Sequence, residues 1–212
     1  MTPPFANRLG RKLSRVATNA AVRRPFLWRL FRPLIRRQFD SLAPVWDTMR
    51  APASFLAYET ALAAVDPPPK RALDLGTGTG VGALAIAQRF PDVEVVGADM
   101  ADRMLAEARK KIPAGLEGRV RFEHADASAL PFADASFDLV TLANMIPFFD
   151  ELSRVLAPGG QALFSFSAGV DTPIYVPSER LRAELGSRGF TEFADFAGGQ
   201  GTALLARKGD RA

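Results

Sequence analysis

A glycine-rich turn between an apolar strand and a helix constrains this chain more than any other feature. Residues 73–80 read Leu-Asp-Leu-Gly-Thr-Gly-Thr-Gly, and an amphipathic helix is predicted at 80–90. Glycines at such a turn let the backbone pass close to a ligand and free N–H groups at the start of the helix. The turn therefore predicts a ligand site at the carboxyl end of the first strand of an α/β sheet.

Strand-like and helix-like runs alternate along the chain from Lys70 onward. Apolar and β-branched runs predict strands at 71–75, 93–98, 119–123, 137–142 and 161–167, and amphipathic runs predict helices at 80–90, 101–111, 150–157 and 178–187. The runs 190–196 and 202–207 flank Gly198, Gly199, Gln200 and Gly201 and predict a hairpin. The alternation favours an α/β fold, namely a doubly wound, Rossmann-like, seven-stranded and mostly parallel sheet with an antiparallel C-terminal hairpin and added N-terminal helices.

Three consecutive prolines, Pro67 to Pro69, divide the chain, because such a run stops a helix and holds the backbone extended. The predicted domains are a basic amphipathic helical arm at 1–39, a helical lid or cap at 40–66 and a ligand-binding domain at 67–212. A helix is predicted within the lid at 52–65.

The N-terminal arm is predicted to contain an amphipathic helix at 26–39, in which Pro33 must introduce a kink or begin a new helix. One face of this helix is apolar and consists of Phe26, Leu27, Leu30, Phe31, Leu34 and Ile35. Arg29, Arg32 and Arg36 lie on the opposite face, with Trp28 at the edge. Such a stripe more often packs on a protein core, but it also suits a membrane surface.

Charge is distributed unevenly along the chain. Residues 1–39 contain ten Arg or Lys residues and no acid, whereas the remainder has 17 basic and 23 acidic residues, a net charge of −6. A basic arm on a mildly acidic body indicates an anionic partner, and we predict peripheral membrane contact through residues 8–39. Nucleic acid is a second possible partner, and a solvated helix pair that only covers the active site is a third interpretation.

The composition excludes several classes of protein. The chain has no cysteine, which excludes disulfides, Cys-ligated zinc and thiol catalysis, and we predict no metal site. No apolar run approaches the roughly 18 to 20 residues that span a bilayer, and the N-terminus lacks the apolar region of a secretory signal. We expect a cytoplasmic protein, although an Arg-rich, acid-free N-terminus also suits a mitochondrial presequence.

Two aspartates discriminate among the ligands that a glycine-rich turn can bind, which include dinucleotides. Asp74 comes two residues before Gly76, where its carboxylate can face the amino or sulfonium charge of a ligand but would repel a pyrophosphate. Asp99 ends the second strand, 19 residues beyond Gly80, at a spacing that suits both ribose hydroxyls. Asp99 fits either cofactor class, so Asp74 favours S-adenosylmethionine over a nicotinamide cofactor.

The chain resembles the class I S-adenosylmethionine-dependent methyltransferases from about residue 40 to residue 208. The matching stretches are Asp-Leu-Gly-Thr-Gly-Thr-Gly at 74–80, Glu-His-Ala-Asp-Ala at 123–127, Phe-Asp-Leu-Val at 137–140 and Ser-Arg-Val-Leu-Ala-Pro-Gly-Gly at 153–160. The resemblance implies S-adenosylmethionine as the cofactor, S-adenosylhomocysteine as the product and a small-molecule methyl acceptor. The cofactor-binding residues that it implies are Asp74, Gly76, Thr77, Gly78, Gly80, Asp99, Met100, Asp126, Ala127 and Asn144.

Individual roles within this set also follow from the resemblance. Met100 would pack on the adenine, Asp126 would contact the adenine amino group and Asn144 would lie beside the transferred methyl group. His124, the only histidine, matches the adenine side of the cofactor, so we predict a structural or adenine-adjacent role for it rather than that of a base.

Methyl transfer from a sulfonium requires mainly that the nucleophile is held in line and close. If the acceptor must lose a proton, the candidates near the pocket mouth are Asp47, Tyr58, Asp150, Glu151 and Tyr175. Asn144 is a further catalytic candidate, because the resemblance places it beside the transferred methyl group. The run 145–149, Met-Ile-Pro-Phe-Phe, predicts a short apolar pocket wall. Residues 39–47 resemble the lid of quinone-type methyltransferases, which makes Trp46 and Asp47 substrate-facing candidates.

Four functions fit these observations. The favoured one is methyl transfer to an apolar small molecule such as a quinol, lipid or secondary metabolite. An RNA methyltransferase would bind phosphates through the arginines and stack bases on Trp28 or Phe31. No Asn-Pro-Pro-Tyr motif follows the fourth strand, however. A catalytically silent cofactor-binding module and a nicotinamide oxidoreductase are the others, and Asp74 and the terminal hairpin count against the oxidoreductase.

Overall fold

A computed structural model describes residues 28–49 and 52–210. Its sheet consists of β1 (Arg71–Leu75), β2 (Glu94–Asp99), β3 (Val120–His124), β4 (Phe137–Ala143), β5 (Leu156–Phe166), β6 (Phe190–Gly198) and β7 (Gly201–Lys208). The strand order is β3-β2-β1-β4-β5-β7-β6. Neighbours among β1 to β5 are parallel, whereas β7 is antiparallel to both β5 and β6. The predicted α/β fold with its antiparallel C-terminal hairpin is confirmed.

The helices connect the strands and precede the sheet. They are α1 (Trp28–Leu42), α2 (Leu56–Ala63), α3 (Val81–Arg89), α4 (Asp102–Arg109), α5 (Phe149–Val155) and α6 (Ser178–Gly186). Short 3-10 helices occupy Ala43–Val45, Asp47–Met49, Pro52–Phe55 and Gly169–Asp171. The strand order reverses between β1 and β4, so a crevice is expected beside the carboxyl ends of these two strands.

The central strands are covered on both faces. Leu73 and Leu142 belong to one apolar cluster, whereas Ala72 and Leu139 belong to another. Burial of both faces is typical of a parallel sheet with helices on each side. The sheet thus gives the strand ends a rigid support.

Strand β5 begins earlier than its sequence pattern indicates. The predicted helix at 150–157 ends at Val155, because Leu156 already pairs with Phe137 of β4. The register then shifts, and Gly159 has a φ of 73° within the strand. A glycine tolerates this left-handed backbone, so the Pro-Gly-Gly residues at 158–160 form an irregularity inside β5.

The segment predicted as a lid, 40–66, is divided in the structure. The predicted helix at 52–65 is α-helical only over Leu56–Ala63. This helix packs directly on the sheet domain, since a Cβ added at Gly198 of β6 would lie 2.6 Å from the backbone nitrogen of Ala57. Residues 56–63 are therefore part of the sheet domain and not of a cover.

Helix α1 is continuous through Pro33, so no new helix begins there. It also crosses the predicted boundary between an arm ending at 39 and a lid beginning at 40. Phe26, Leu27 and the predicted membrane-contacting residues before them lie outside the described residues. None of the helices within 28–49 and 52–210 is both long enough and apolar enough to cross a bilayer.

The face of α1 that meets the sheet domain is mixed, because Trp28 is buried and Ile35 and Phe39 pack on core clusters beside two arginines. Arg32 pairs with Asp126 at 2.7 Å, and Arg36 pairs with Asp102 at 3.0 Å. The apolar side chains Leu30, Phe31 and Leu34 are 73%, 45% and 69% exposed. The interpretation that the apolar stripe packs on the core is therefore wrong for these three, because the carboxylates on the domain surface attract the guanidinium face instead.

Candidate active site

The glycine loop after β1 is held tightly against the end of β2. The N–H groups of Gly76 and Thr77 both donate to the carbonyl of Ala98, at 2.8 and 3.1 Å. Gly80 has a φ of 86°, and a Cβ there would lie 2.7 Å from the ring of Phe122. The first two N–H groups of the loop are thus used within the protein and hold the loop to the end of β2.

Asp74 supports this loop from beneath. Its side chain is buried, and its two oxygens accept the hydroxyls of Thr77 at 2.6 Å and Thr141 at 2.7 Å. Burial raises the pKa of Asp74 to about 6, although the two threonine hydrogen bonds act in the opposite direction. The carboxylate of Asp74 was predicted to face the charge of a ligand, but both of its oxygens accept hydrogen bonds from protein hydroxyls instead.

Asp99 lies at the carboxyl end of β2, beside the same loop. Its Oδ2 accepts the N–H of Gly78 and its Oδ1 accepts the N–H of Ala101, both at 2.9 Å. Burial raises the pKa of Asp99 above its usual value. A carboxylate oxygen can accept more than one hydrogen bond, so each oxygen retains capacity for a ribose hydroxyl.

Asp126 follows β3 and accepts four hydrogen bonds. Trp28 Nε1 donates to its Oδ1 at 3.0 Å, and Arg32 donates to its Oδ2 at 2.7 Å. The N–H and hydroxyl of Ser128 donate to Oδ1 as well. Burial opposes the ionised form, but these hydrogen bonds prevail and lower the pKa of Asp126. Asp126 is thus an ionised acceptor that already binds α1.

A cavity of about 530 Å³ lies between α1 and the ends of β2 and β3. Its lining residues are Arg32, Pro33, Arg36, Arg37, Asp40, Met100, His124 and Asp126. His124 lies on its rim, with Nδ1 2.8 Å from Asp102 Oδ1. The structure therefore brings together the three residues predicted for the adenine side, namely Met100, His124 and Asp126.

The end of β4 forms the neighbouring wall. Asn144 has a φ of 52°, its N–H donates to Ser165, and its Oδ1 accepts the N–H of Ser167 at 2.9 Å. Met145 covers the glycine loop, because a Cβ at Gly76 would lie 2.7 Å from its sulfur. Asn144 is thus held rigidly between β4 and the loop that follows β5.

The predicted apolar wall at 145–149 is only partly present. Phe148 and Phe149 are buried in the core, where Phe148 contacts the Trp28 ring at a centroid distance of 5.4 Å. Met145 and Ile146 are half-buried against the same core cluster. Met145 and Ile146 are therefore the apolar side chains of this run that remain partly exposed, whereas the two phenylalanines belong to the core.

The segment 43–49 lies against the glycine loop. Asp47 accepts the Thr79 hydroxyl at 2.7 Å and forms an ion pair with Lys111. The indole nitrogen of Trp46 would lie 3.6 Å from a Cβ at Gly78. Both carboxylate oxygens of Asp47 thus bind protein groups, which makes it an anchor of this segment rather than the free base that was predicted.

Tyr58 has no exposed surface and lines neither of the two cavities described in this section, so its predicted position at the pocket mouth is wrong. The side chain is fully buried in α2, and its hydroxyl donates to Thr141 at 3.2 Å. Burial raises the pKa of Tyr58 well above its usual value. A buried phenol of this kind cannot take a proton from an acceptor at the surface.

Two further candidates are also misplaced. Asp150 is exposed and pairs with Arg188 at 2.8 Å, beside a separate cavity of about 470 Å³ near the beginning of β4. Glu151 pairs with Arg154 at 2.8 Å, and this hydrogen bonding lowers the pKa of Glu151. Tyr175, in contrast, packs edge-on against Phe166 at the carboxyl end of β5, with a centroid distance of 5.1 Å.

Sequence reasoning did not identify Trp28 and Arg32 as site residues. They are separated from Asp126 by 98 and 94 positions, so no local pattern indicates the contact. Thr141, which binds Asp74, lies in the middle of a strand pattern and was overlooked for the same reason. The available signal was the excess of arginine in α1 opposite two acids, Asp102 and Asp126.

The protein has a doubly wound sheet, a glycine loop after β1, an acid at the end of β2 and a second acid after β3. These features define an α/β protein that binds a cofactor containing a nucleoside. A family model described as a methyltransferase domain matches residues 72–160. The chain belongs to the class I S-adenosylmethionine-dependent methyltransferase family, because it is also 34% identical to a named methyltransferase over 67% of the length of that protein.

Curated relatives are similar over most of this region. The demethylmenaquinone methyltransferase of Thermus thermophilus is 48% identical over 136 residues, which cover 58% of this chain and 61% of that protein. The ubiquinone/menaquinone biosynthesis C-methyltransferase UbiE of Geotalea daltonii is 34% identical over 162 residues, which cover 69% and 67%. The chain therefore spans about three fifths of the length of the first of these relatives.

A solved structure supports the fold. The chain aligns with a SAM-dependent methyltransferase from Aquifex aeolicus at a TM-score of 0.61 and 16% identity, covering 76% of this chain and 95% of that one. At this level of identity the likeness establishes the fold alone.

Proposed function

We propose that this protein transfers a methyl group from S-adenosylmethionine to a small apolar acceptor of the quinone class, in its reduced quinol form. The observation that carries the acceptor class is the 48% identity to a protein named demethylmenaquinone methyltransferase. The half-buried Met145 and Ile146 beside the glycine loop are compatible with an apolar ring. We also propose a cytoplasmic location, with a peripheral membrane contact near α1.

The residues at the carboxyl edge fit S-adenosylmethionine. Each oxygen of Asp99 accepts one N–H and can accept a ribose hydroxyl in addition. Met100 and Asp126 line the 530 Å³ cavity and would hold the adenine, together with Ala127, which follows Asp126 in the chain. The loop of Gly76, Gly78 and Gly80 would hold the methionine end, and the bond between Thr77 and Asp74 fixes this loop from below.

S-adenosylmethionine supplies a methyl group that is made electrophilic by its positively charged sulfur. The task of the chain is then to hold the acceptor carbon in line with that group and to exclude water. Asn144 is oriented by its bonds to Ser165 and Ser167, and Met145 and Ile146 provide apolar surface next to it. Asp47 and Tyr58 are engaged within the protein, so we expect proton loss from the quinol to depend on the acceptor and solvent.

RNA methylation gains no support from the geometry. Trp28 is buried and its indole N–H is bonded to Asp126, so its ring is not available to stack on bases. Arg32 and Arg36 are paired with acids on the domain surface. Trp28, Arg32 and Arg36 are therefore engaged within the protein, which counts against their use in binding nucleic acid.

The decisive experiment supplies the full chain with S-adenosylmethionine labelled in its methyl group and a reduced demethylmenaquinone analogue with a short side chain. Label in the quinone fraction is expected, and an Asp99→Ala variant should lose it. RNA and protein fractions of a cell extract serve as competing acceptors. Label in RNA would overturn the acceptor class, whereas cofactor binding without transfer to any fraction would indicate a silent module.

A further inference from the structure

The outward face of α1 is an exposed apolar row. Leu30 and Leu34 lie one helical turn apart and are 73% and 69% exposed, and Phe31 beside them is 45% exposed. Three large apolar side chains together on one helix face are a feature of contact surfaces rather than of a solvated helix. The described residues place nothing over this row.

The orientation of α1 is set by its opposite face. Trp28 and Arg32 bind Asp126, and Arg36 binds Asp102. Hydrogen bonds to a charged group are stronger than neutral ones, so these contacts resist rotation of the helix about its axis. The apolar row is therefore presented outward by the packing of the opposite face, where Trp28 is also buried, and it cannot turn inward without breaking these pairs.

The charge around this row is positive. Arg29 and Arg37 are both exposed; Arg37 lies beside Leu30 around the helix, whereas Arg29 lies further round, toward the arginine face. Residues 1–39 contain ten basic residues and no acid. An apolar row flanked by arginines matches an anionic bilayer surface, where the side chains enter the headgroup boundary and the guanidinium groups bind phosphates.

The same helix borders the cavity next to the glycine loop. Arg32, Pro33, Arg36 and Arg37 line that cavity on the α1 side. A surface that lies on a bilayer through Leu30 and Leu34 would thus bring the cavity rim close to the headgroups. An acceptor dissolved in the bilayer would then be close to the cofactor domain, although it would not pass through this cavity, which the adenine would fill.

We propose that Leu30, Phe31 and Leu34 of α1, with Arg29 and Arg37, form a docking surface for an anionic lipid bilayer. The proposal rests on the proposed function for the source of the acceptor, but vesicle binding is measured without methyl transfer. The two can therefore fail separately.

The test is co-sedimentation of the full chain with vesicles of phosphatidylcholine containing roughly one third phosphatidylglycerol. We expect binding that weakens from about 0.05 M to about 0.5 M salt, because the charges are at the surface. The double variant Leu30→Glu/Leu34→Glu should bind at least about tenfold more weakly, since two large apolar groups no longer enter the boundary. Its affinity for S-adenosylmethionine, measured by calorimetry, should stay within about twofold of the original.

The control is Val170→Glu, which changes an exposed apolar residue outside α1 in the same way. Vesicle binding by this variant should match that of the original chain. Equal binding by the α1 variant and the original would overturn the proposal, as would binding to uncharged vesicles of the same strength. A dimer in solution that the α1 variant dissociates, without vesicle binding, would assign the row to a second copy instead.

Discussion

The indole Nε1 of Trp28 donates a hydrogen bond of 3.0 Å to Oδ1 of Asp126, which lies 98 positions further along the chain. The bond joins the first described helix to the loop after β3. It means that the carboxylate assigned to the adenine side is also the anchor of α1. The same carboxylate therefore lines the proposed cofactor site and holds α1 in its orientation.

Replacing Trp28 by Phe tests this anchor. The ring would keep its packing on Phe148, but the N–H donor to the ionised Asp126 is lost. We expect α1 to open about tenfold more often, which corresponds to about 1.4 kcal/mol and lies near the lower limit for hydrogen bonds to charged groups. Amide hydrogen exchange of α1 measures the change. Phe31→Leu, on the outward face, serves as the control, and equal exchange in both variants would contradict the role of the bond.

The ribose assignment of Asp99 predicts a loss of cofactor affinity. Asp99→Ala removes a carboxylate that would accept two charge-assisted hydrogen bonds from the ribose, and we expect a loss of about 2 to 4 kcal/mol in binding. Calorimetry with S-adenosylmethionine measures the affinity, and circular dichroism checks that the variant is folded. Asp92→Ala, an exposed acid before β2, is the matched control. Unchanged affinity in a folded Asp99→Ala protein would exclude the assignment.

Asp74 predicts a dependence of stability on pH. Its pKa is raised from 3.8 to about 6 in the folded protein, so its stabilising contribution is complete below pH 4 and is lost as the pH rises through 6. The linked change is about 3 kcal/mol. Urea denaturation should therefore show the original chain losing stability relative to Asp74→Asn between about pH 4 and about pH 7. A constant difference between the two proteins over that range would show that Asp74 is not desolvated as the structure indicates.

The backbone of the glycine loop predicts a sharp difference between two glycine substitutions. Gly80→Ala places a methyl group 2.7 Å from Phe122 at a φ of 86°, whereas Gly118→Ala meets nothing within 4 Å. We expect the first to cost about 1 to 3 kcal/mol in free energy of unfolding and the second to stay within about 0.5 kcal/mol. Chemical denaturation of both variants measures these values. Comparable losses at the two sites would contradict the contact between the loop and β3.

Tyr58 is expected to be dispensable for transfer. Tyr58→Phe removes a buried hydroxyl that binds Thr141, and about 1 kcal/mol of stability should be lost. The rate of methyl transfer should stay within about twofold, because the phenol is buried away from the cavity. A large fall in kcat with unchanged stability would return Tyr58 to the list of catalytic residues.

The sequence by itself determined the sheet and the place of the site. Alternating strand and helix patterns with the turn at 73–80 indicated the doubly wound fold, because strand and helix periods are local properties of the chain. Asp99 could be placed in the same way, since it ends a strand at a fixed distance from the glycine turn. These features depend on neighbours close in sequence.

Tertiary structure alone decided which face of α1 turns inward and which candidate bases are accessible. The helical pattern gives an apolar face and an arginine face, but the side that turns inward depended on Asp102, Asp126 and the core around Phe148, which lie elsewhere in the sequence. Tyr58 and Asp47 were likewise assigned to a pocket mouth, whereas Thr141, Thr79 and Lys111 engage them. Such contacts join distant parts of the chain, and their free energy appears only once the sheet has brought those parts together.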